Sequence, residues 1–192
     1  MRLRGCSIIK TNGNKTYKRG TGGGCRPQGA RCYCTGAEGA VLRDQPECVT
    51  AVVGYNFARP GNRFWPTLFA SGFTPRLFLP EEQQELLPLG YGITNVVARA
   101  TVAAADLSKT ELRQGGAQLV AKVQTYNPQV LALLGISVFE TAFGRKGSGV
   151  GLQELQLGDT QIWVLPNPSG LNAHFPPRRL VEVYRELRAF VG

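Results

Sequence analysis

From residue 51 onward, apolar and polar positions fall into blocks that read as regular α/β sequence. Two apolar runs stand out: Val130-Leu131-Ala132-Leu133-Leu134, closed by Gly135, and residues 161–165. They are too short for helices and lack polar alternation, which marks strands buried on both faces. Residues 92–97 read as a third, shorter strand. Helices separate them. Ser108-Lys109-Thr110-Glu111 is a capping box, and it opens a helix predicted to run to about residue 126. Residues 62–72, 79–89 and 137–143 read as further helices. Residues 177–191 put Leu180, Val183, Tyr184 and Leu187 on one face of a basic amphipathic helix. Strands that alternate with helices predict a parallel sheet covered on both faces. Ligands of such sheets sit at the carboxyl ends of the strands.

The first 48 residues break this pattern. All five cysteines lie there (Cys6, Cys25, Cys32, Cys34, Cys48), with many glycines and neither Phe nor Trp. Such a stretch buries little surface, so it is expected to form a disordered arm, and residues 49–192 the folded domain. The cysteines have no C-x2-C pair, and Cys32-x-Cys34 is a poor zinc knuckle, so no metal site is expected. Residues 20–24 are glycine-rich but are followed by no Lys-Ser/Thr and preceded by no strand, which excludes a phosphate loop.

The segment Ile162-Trp163-Val164-Leu165-Pro166-Asn167-Pro168-Ser169-Gly170-Leu171-Asn172 carries the sharpest chemical signal. A buried strand stops in a turn stiffened by two prolines, with a glycine for conformational freedom. Leu171 then stands where a solvated residue is expected. One reading tucks it back into the core. The other makes it an apolar wedge that pushes between stacked bases.

The net charge of +9 favours an anionic partner, of which nucleic acid is the commonest. No apolar stretch has the length of a membrane helix, and no apolar segment of signal-peptide length follows the basic first residues. The expected setting is the cytoplasm, associated with the nucleoid, as a monomer and with no cofactor.

Three separated motifs, in order, resemble the mismatch-specific uracil-DNA glycosylase family (Mug and thymine-DNA glycosylase). They are Gly54-Tyr55-Asn56-Phe57-Ala58-Arg59-Pro60-Gly61-Asn62-Arg63-Phe64-Trp65, Gly92-Ile93-Thr94-Asn95-Val96-Val97-Ala98-Arg99, and residues 165–171. The resemblance covers residues 52–189. It implies a three-layer α/β/α fold around a central, mostly parallel sheet of four to five strands. It implies an enzyme that flips uracil, or another damaged pyrimidine, from a mismatched DNA duplex and hydrolyses its N-glycosidic bond. Phe57 then matches the aromatic that stacks on the flipped base. Asn95 and Asn167 line the base pocket. Ser169 and nearby amides hold a phosphate, Gly170 and Leu171 face the widowed guanine, and Leu171 is the wedge. Arg63 and Arg99 are structural or contact phosphate. His174, the chain's one histidine, is a loop residue near DNA and not catalytic.

The family's first motif, roughly Phe-Cys-Gly-Ile-Asn-Pro-Gly, should lie shortly before Gly54. Its asparagine positions the attacking water. Here the chain reads Val41-Leu42-Arg43-Asp44-Gln45-Pro46-Glu47, and that asparagine is absent, so the catalytic residue is unknown and activity is expected to be impaired. Asp44 is a competent base by chemistry but nothing in the sequence puts it in the pocket. Residues 37–46, read one base out of step with permitted codons, become Leu-Arg-Val-Leu-Phe-Cys-Gly-Ile-Asn-Pro. Residues 31–36 become Asp-Val-Ile-Ala-Pro-Gly. This is compatible with an out-of-frame translation up to about residue 48. The alternative to an impaired enzyme is a non-catalytic DNA-binding relic of the same fold.

Overall fold

The computed structural model describes residues 6–10, 55–97 and 107–192. Its elements, in order, are β1 (Cys6–Lys10), α1 (Phe64–Ala70), a 3-10 helix (Pro80–Leu86), β2 (Tyr91–Asn95), α2 (Lys109–Tyr126), β3 (Val130–Leu134), α3 (Ile136–Phe143), β4 (Gly151–Leu157), β5 (Thr160–Leu165) and α4 (Pro177–Val191). One five-stranded sheet has the order β2-β1-β3-β5-β4.

Alternation along the two central apolar strands builds the layers. Val130, Ala132, Leu134, Trp163 and Leu165 share one core with α1 and with Leu180, Val183, Tyr184 and Leu187 of α4. Leu131, Leu133, Ile162 and Val164 point to the other side and pack with Leu119 and Val123 of α2 and Phe139 of α3. Successive strand residues face opposite ways, so a continuous apolar run feeds both cores at once. Each buried leucine or isoleucine contributes about 1.5–3 kcal/mol relative to exposure. Helices on both faces make the three-layer α/β/α arrangement.

Local chemistry sets the helix ends. Ser108 Oγ accepts the Glu111 amide at 3.1 Å, and Glu111 Oε2 accepts the Ser108 amide at 2.9 Å, completing the capping box of α2. Asn127 ends α2 with φ 43°, its amide donating to the Val123 carbonyl at 2.8 Å. Within α2, Gly115 and Gly116 permit close approach: a Cβ on Gly115 would lie 2.2 Å from the Val96 carbonyl oxygen, and one on Gly116 2.6 Å from that of Ala142. The pair presses α2 onto the end of β2 and onto α3, at about 1 kcal/mol of helix propensity for each glycine.

The structure departs from the sequence reading in four places. It is mixed rather than mostly parallel, because β3 and β5 form its one parallel neighbour pair. β2, β3 and β5 nonetheless run in the same direction, since β1 lies antiparallel to both β2 and β3. The central position between β2 and β3 is held by residues 6–10, which composition had assigned to an arm outside the fold. β4 (Gly151–Leu157) is an edge strand with exposed Leu152, Glu154 and Gln156, and its polar face hid it from a search for apolar runs. Finally, residues 79–89 hold a seven-residue 3-10 helix in place of the expected α-helix. The remaining residues of the first 48, and Gly54, Ala98 and Arg99 from the motifs, lie outside the described residues. Among the described residues, no helix is long and apolar enough to cross a membrane.

Candidate functional site

The register brings the shared-direction strand ends to one edge of the sheet. Asn95 pairs with Cys6, Ser7 with Leu133, and Leu134 with Leu165. The Asn95 end of β2 and the loop that follows β5 therefore both stand at the carboxyl edge, where such sheets bind ligands.

The loop is held from within and beneath. Asn167 Oδ1 accepts the Ser169 amide at 3.0 Å, and Ser169 Oγ accepts the Leu171 amide at 3.3 Å. The Asn172 amide donates to the Ser169 carbonyl at 3.0 Å, and Asn172 Nδ2 to the Asn167 carbonyl at 3.0 Å. Asn167 Oδ1 and Ser169 Oγ thus accept loop amides, and Asn172 Nδ2 supplies a donor where the prolines have none. Below them lies Arg63. Its amide donates to the Pro168 carbonyl at 3.0 Å. Its guanidinium donates to the carbonyls of Phe175 (2.9 Å), Asn172 (3.1 Å) and Ser169. Sequence left Arg63 between a structural and a phosphate-contacting role; its guanidinium is committed to loop carbonyls. Neutral carbonyls do not cancel its charge, and Arg63 joins no ion pair among the described residues. A positive charge thus sits beneath the loop.

Leu171 is 67% exposed at the tip of this braced loop, which removes the tucked-leucine reading. Ser169 is buried and Gly170 exposed. The need for glycine at 170 is spatial rather than torsional: a Cβ there would lie 2.5 Å from the Gly61 carbonyl oxygen. The loop is therefore in close contact with the turn of residues 59–62. That turn has Pro60 and Gly61 at its centre, with φ 78° at Gly61, and closes through the Asn62 amide on the Arg59 carbonyl at 3.0 Å. Asn62 Oδ1 then accepts the Phe64 amide at 2.8 Å and starts α1.

Phe57 lies just before this turn. It is buried, with φ 58°, a left-handed conformation that a bulky side chain resists. Its ring stacks on Phe64 with centroids 3.8 Å apart. Strain of this kind persists only where the surroundings impose it, and it concentrates at functional sites.

Next to Phe57, sequence reasoning missed a polar cluster. Gln83 Oε1, from the 3-10 helix, accepts both the Asn56 amide at 3.1 Å and Asn56 Nδ2 at 3.0 Å. Asn56 Oδ1 in turn accepts from Asn95 Nδ2 at 3.4 Å. The Asn56 carbonyl accepts the Trp65 indole N–H at 3.2 Å. The Asn95 side chain and the segment that carries Phe57 are thus brought together. Asn56 lies in the motif of residues 54–65, which implied no role for it, and Gln83 gave no sequence signal, because its partner is 27 residues away.

The 3-10 helix that carries Gln83 is anchored by its neighbour. Glu82 takes a two-pronged contact from Arg76, at 2.8 and 2.9 Å, and the Leu79 amide at 2.8 Å. The Arg76 guanidinium, and then the Leu79 amide, hold the Glu82 carboxyl down at about 2. A depressed folded pKa stabilises the fold above the ordinary carboxylate value, and that stability is lost as pH falls through about 2. In an NMR titration the Glu82 carboxyl carbon should show a midpoint near 2, rising toward 4.5 in Arg76→Ala. An ordinary midpoint in the parent chain would mean that the anchor does not form.

Other candidates stand apart from the Asn95 cluster. His174 is exposed in the loop that leads to α4, and its ring joins no hydrogen bond or ion pair among the described residues. Arg99, Asp44 and all the cysteines but Cys6 lie outside the described residues. A cavity of about 450 Å³ opens between α1 and α4, lined by Arg63, Thr67, Arg178, Glu182 and Arg185 among others, away from Asn95.

A family model of the uracil DNA glycosylase superfamily matches residues 41–188. The match begins earlier than the resemblance read from the motifs, taking in the segment where the first motif should stand. It runs through β2, the braced loop and most of α4, over well more than half of the sequence. On this match the chain belongs to the uracil DNA glycosylase superfamily.

Proposed function

We propose that this chain is a DNA-repair glycosylase of the mismatch-specific kind, which flips uracil or a related damaged pyrimidine from G·U or G·T mismatches in double-stranded DNA. Hydrolysis by this chain is slow, because the asparagine that should aim the water is missing. The observation that carries the reading is the exposed Leu171 on a loop held by Arg63 at the carboxyl edge of the sheet.

The parts then act as follows. Leu171 enters the stack and fills the space the base leaves, and the backbone of Gly170 and Leu171 faces the widowed guanine. The positive charge of Arg63 beneath the loop favours a phosphate there, and the Ser169 hydroxyl, which accepts the Leu171 amide, still has its own proton to donate to one. Phe57 supplies the aromatic surface for the extruded base. Asn167 has its Oδ1 committed to Ser169, which leaves Nδ2 as a donor toward the base. A donor aimed at the departing base stabilises the negative charge that gathers on it as the sugar becomes oxocarbenium-like.

The wedge is tested by Leu171→Ala. The side chain touches solvent rather than core, so the melting temperature should stay within the scatter of surface variants. Affinity for a G·U duplex should fall by about tenfold or more, the burial energy of one leucine. Equal affinity in parent and variant would remove the wedge.

A second reading is favoured by one observation, the missing first motif: a DNA-binding relic that no longer cleaves. Incubation with a G·U duplex separates the two. Abasic sites that accumulate slowly support the impaired enzyme, and binding without cleavage supports the relic.

A further inference from the structure

We infer that Gln83 and Asn56 are positioning residues that fix the polarity of the Asn95 amide, so that the pocket presents a hydrogen-bond acceptor and selects a base carrying an imide N–H. This rests on the glycosylase reading above.

A backbone amide only donates, so the Gln83 atom 3.1 Å from the Asn56 amide is the carbonyl oxygen. That same oxygen lies 3.0 Å from the Asn56 side chain, which must turn its NH2 toward it. With Asn56 turned that way, the Asn56 atom 3.4 Å from the Asn95 side chain is Oδ1, an acceptor, so Asn95 answers with its NH2. Each amide is oriented by the one before it. The outcome is that Asn95 Oδ1 is the free end of the chain. It is buried and has no partner among the described residues.

A buried carbonyl without a partner is costly, and such a group is a candidate for a ligand. What it accepts is an N–H. The N3 position of uracil or thymine carries one; the N3 position of cytosine is itself an acceptor and would face the Asn95 oxygen with like polarity. Were the relay broken, Asn95 could turn its NH2 to the pocket instead, and the distinction would fade. Neither Gln83 nor Asn56 needs to touch the base, so both act through Asn95.

Affinity is the readout, which makes the test independent of slow hydrolysis. Duplexes carry 2′-fluoro-2′-deoxyuridine or 2′-fluoro-2′-deoxycytidine opposite guanine, since fluorine at that carbon opposes the oxocarbenium-like state and blocks cleavage. The parent chain should bind the uridine duplex more tightly. Gln83→Leu removes the acceptor and should lower the ratio of the two affinities about tenfold. Gln83→Glu keeps an acceptor at the same place and should hold the parent ratio. Asn56→Ala removes the middle of the relay and should also lower it, which keeps the test decisive should Gln83→Leu fail to fold.

Two results would overturn the relay alone: a parent ratio that persists in Gln83→Leu and Asn56→Ala, or an equal loss of affinity for both duplexes, which is what a merely structural role produces. A parent chain that binds the uridine duplex no better than a fully paired one would overturn the glycosylase reading, and the relay with it.

Discussion

A chain in which residues 31–46 are replaced by Asp-Val-Ile-Ala-Pro-Gly-Leu-Arg-Val-Leu-Phe-Cys-Gly-Ile-Asn-Pro should excise uracil from a G·U duplex about 10²–10⁴-fold faster than the chain as it stands. That range is what a well-placed group handling the attacking water contributes. The structure supplies the reason for so large a difference. The sheet position between β2 and β3 is central, and it is held by Cys6–Lys10 running antiparallel to both neighbours. A strand in that orientation starts at the carboxyl edge where Asn95 stands, and runs away from it. Its sequence, Cys6-Ser7-Ile8-Ile9-Lys10, contains no asparagine. The restored segment is an apolar strand of the parallel type, Leu-Arg-Val-Leu-Phe, followed directly by the motif. Placed in the same position but parallel to β2 and β3, it would deliver its asparagine to the edge that holds Asn95 and residues 166–172. Two measurements check this: the rate of abasic-site formation by the restored chain, and the sequence of the encoding DNA. An unchanged rate, or a gene with no such motif one base away, would falsify the out-of-step translation.

How much of this was legible in the sequence depended on how local each interaction is. α4 has the limits that its amphipathic pattern predicted, Pro177–Val191, because a proline opens it and its apolar positions recur at helical spacing. β3 and β5 were visible as runs buried on both faces. β4 was not: Glu154 and Gln156 face solvent and have little preference for strands, so its place depends on pairing with β5. β1 was still less visible. Five residues among basic and glycine-rich neighbours carry no strand signal, and what places them is the sheet position left open beside β3. The 3-10 helix has a helical pattern but sits between prolines and is anchored by Arg76, which is not part of it.

The site divides in the same way. Phe57, Asn95 and residues 166–171 could be named because they stand in contiguous motifs. Gln83 could not, because its role exists only when the 3-10 helix is set against Asn56. Gly170 was noticed for the wrong physical reason, torsion instead of the nearness of Gly61. Arg63 was noticed with its role open, since the carbonyls that define it lie more than 100 residues away along the chain.

Arg63 is accordingly a residue whose loss should lower both stability and binding. Its guanidinium gathers the carbonyls of Ser169, Asn172 and Phe175, while its own amide holds Pro168. Hydrogen bonds to a charged group contribute about 1.5–3 kcal/mol each, and neighbouring ones are not additive. Arg63→Ala should therefore lower folding stability by about 3–4 kcal/mol, near the upper end for single substitutions. Arg63→Lys should recover little, because a single ammonium group cannot span three carbonyls fixed around a planar fork. The functional loss should exceed the stability loss. With the guanidinium gone, residues 166–172 keep their internal hydrogen bonds and the backbone bond from residue 63 to Pro168, but Ser169, Asn172 and Phe175 lose their shared anchor, and an exposed wedge on a looser loop pays ordering entropy when it enters DNA. At a temperature where both variants remain folded, affinity for a G·U duplex should fall at least tenfold more than for Leu171→Ala, which loses the wedge but keeps the brace and its charge. Chemical denaturation and mismatch binding on the same samples measure the two effects together. Mismatch affinity in folded Arg63→Ala equal to that of Leu171→Ala would mean that the loop holds its shape without the arginine.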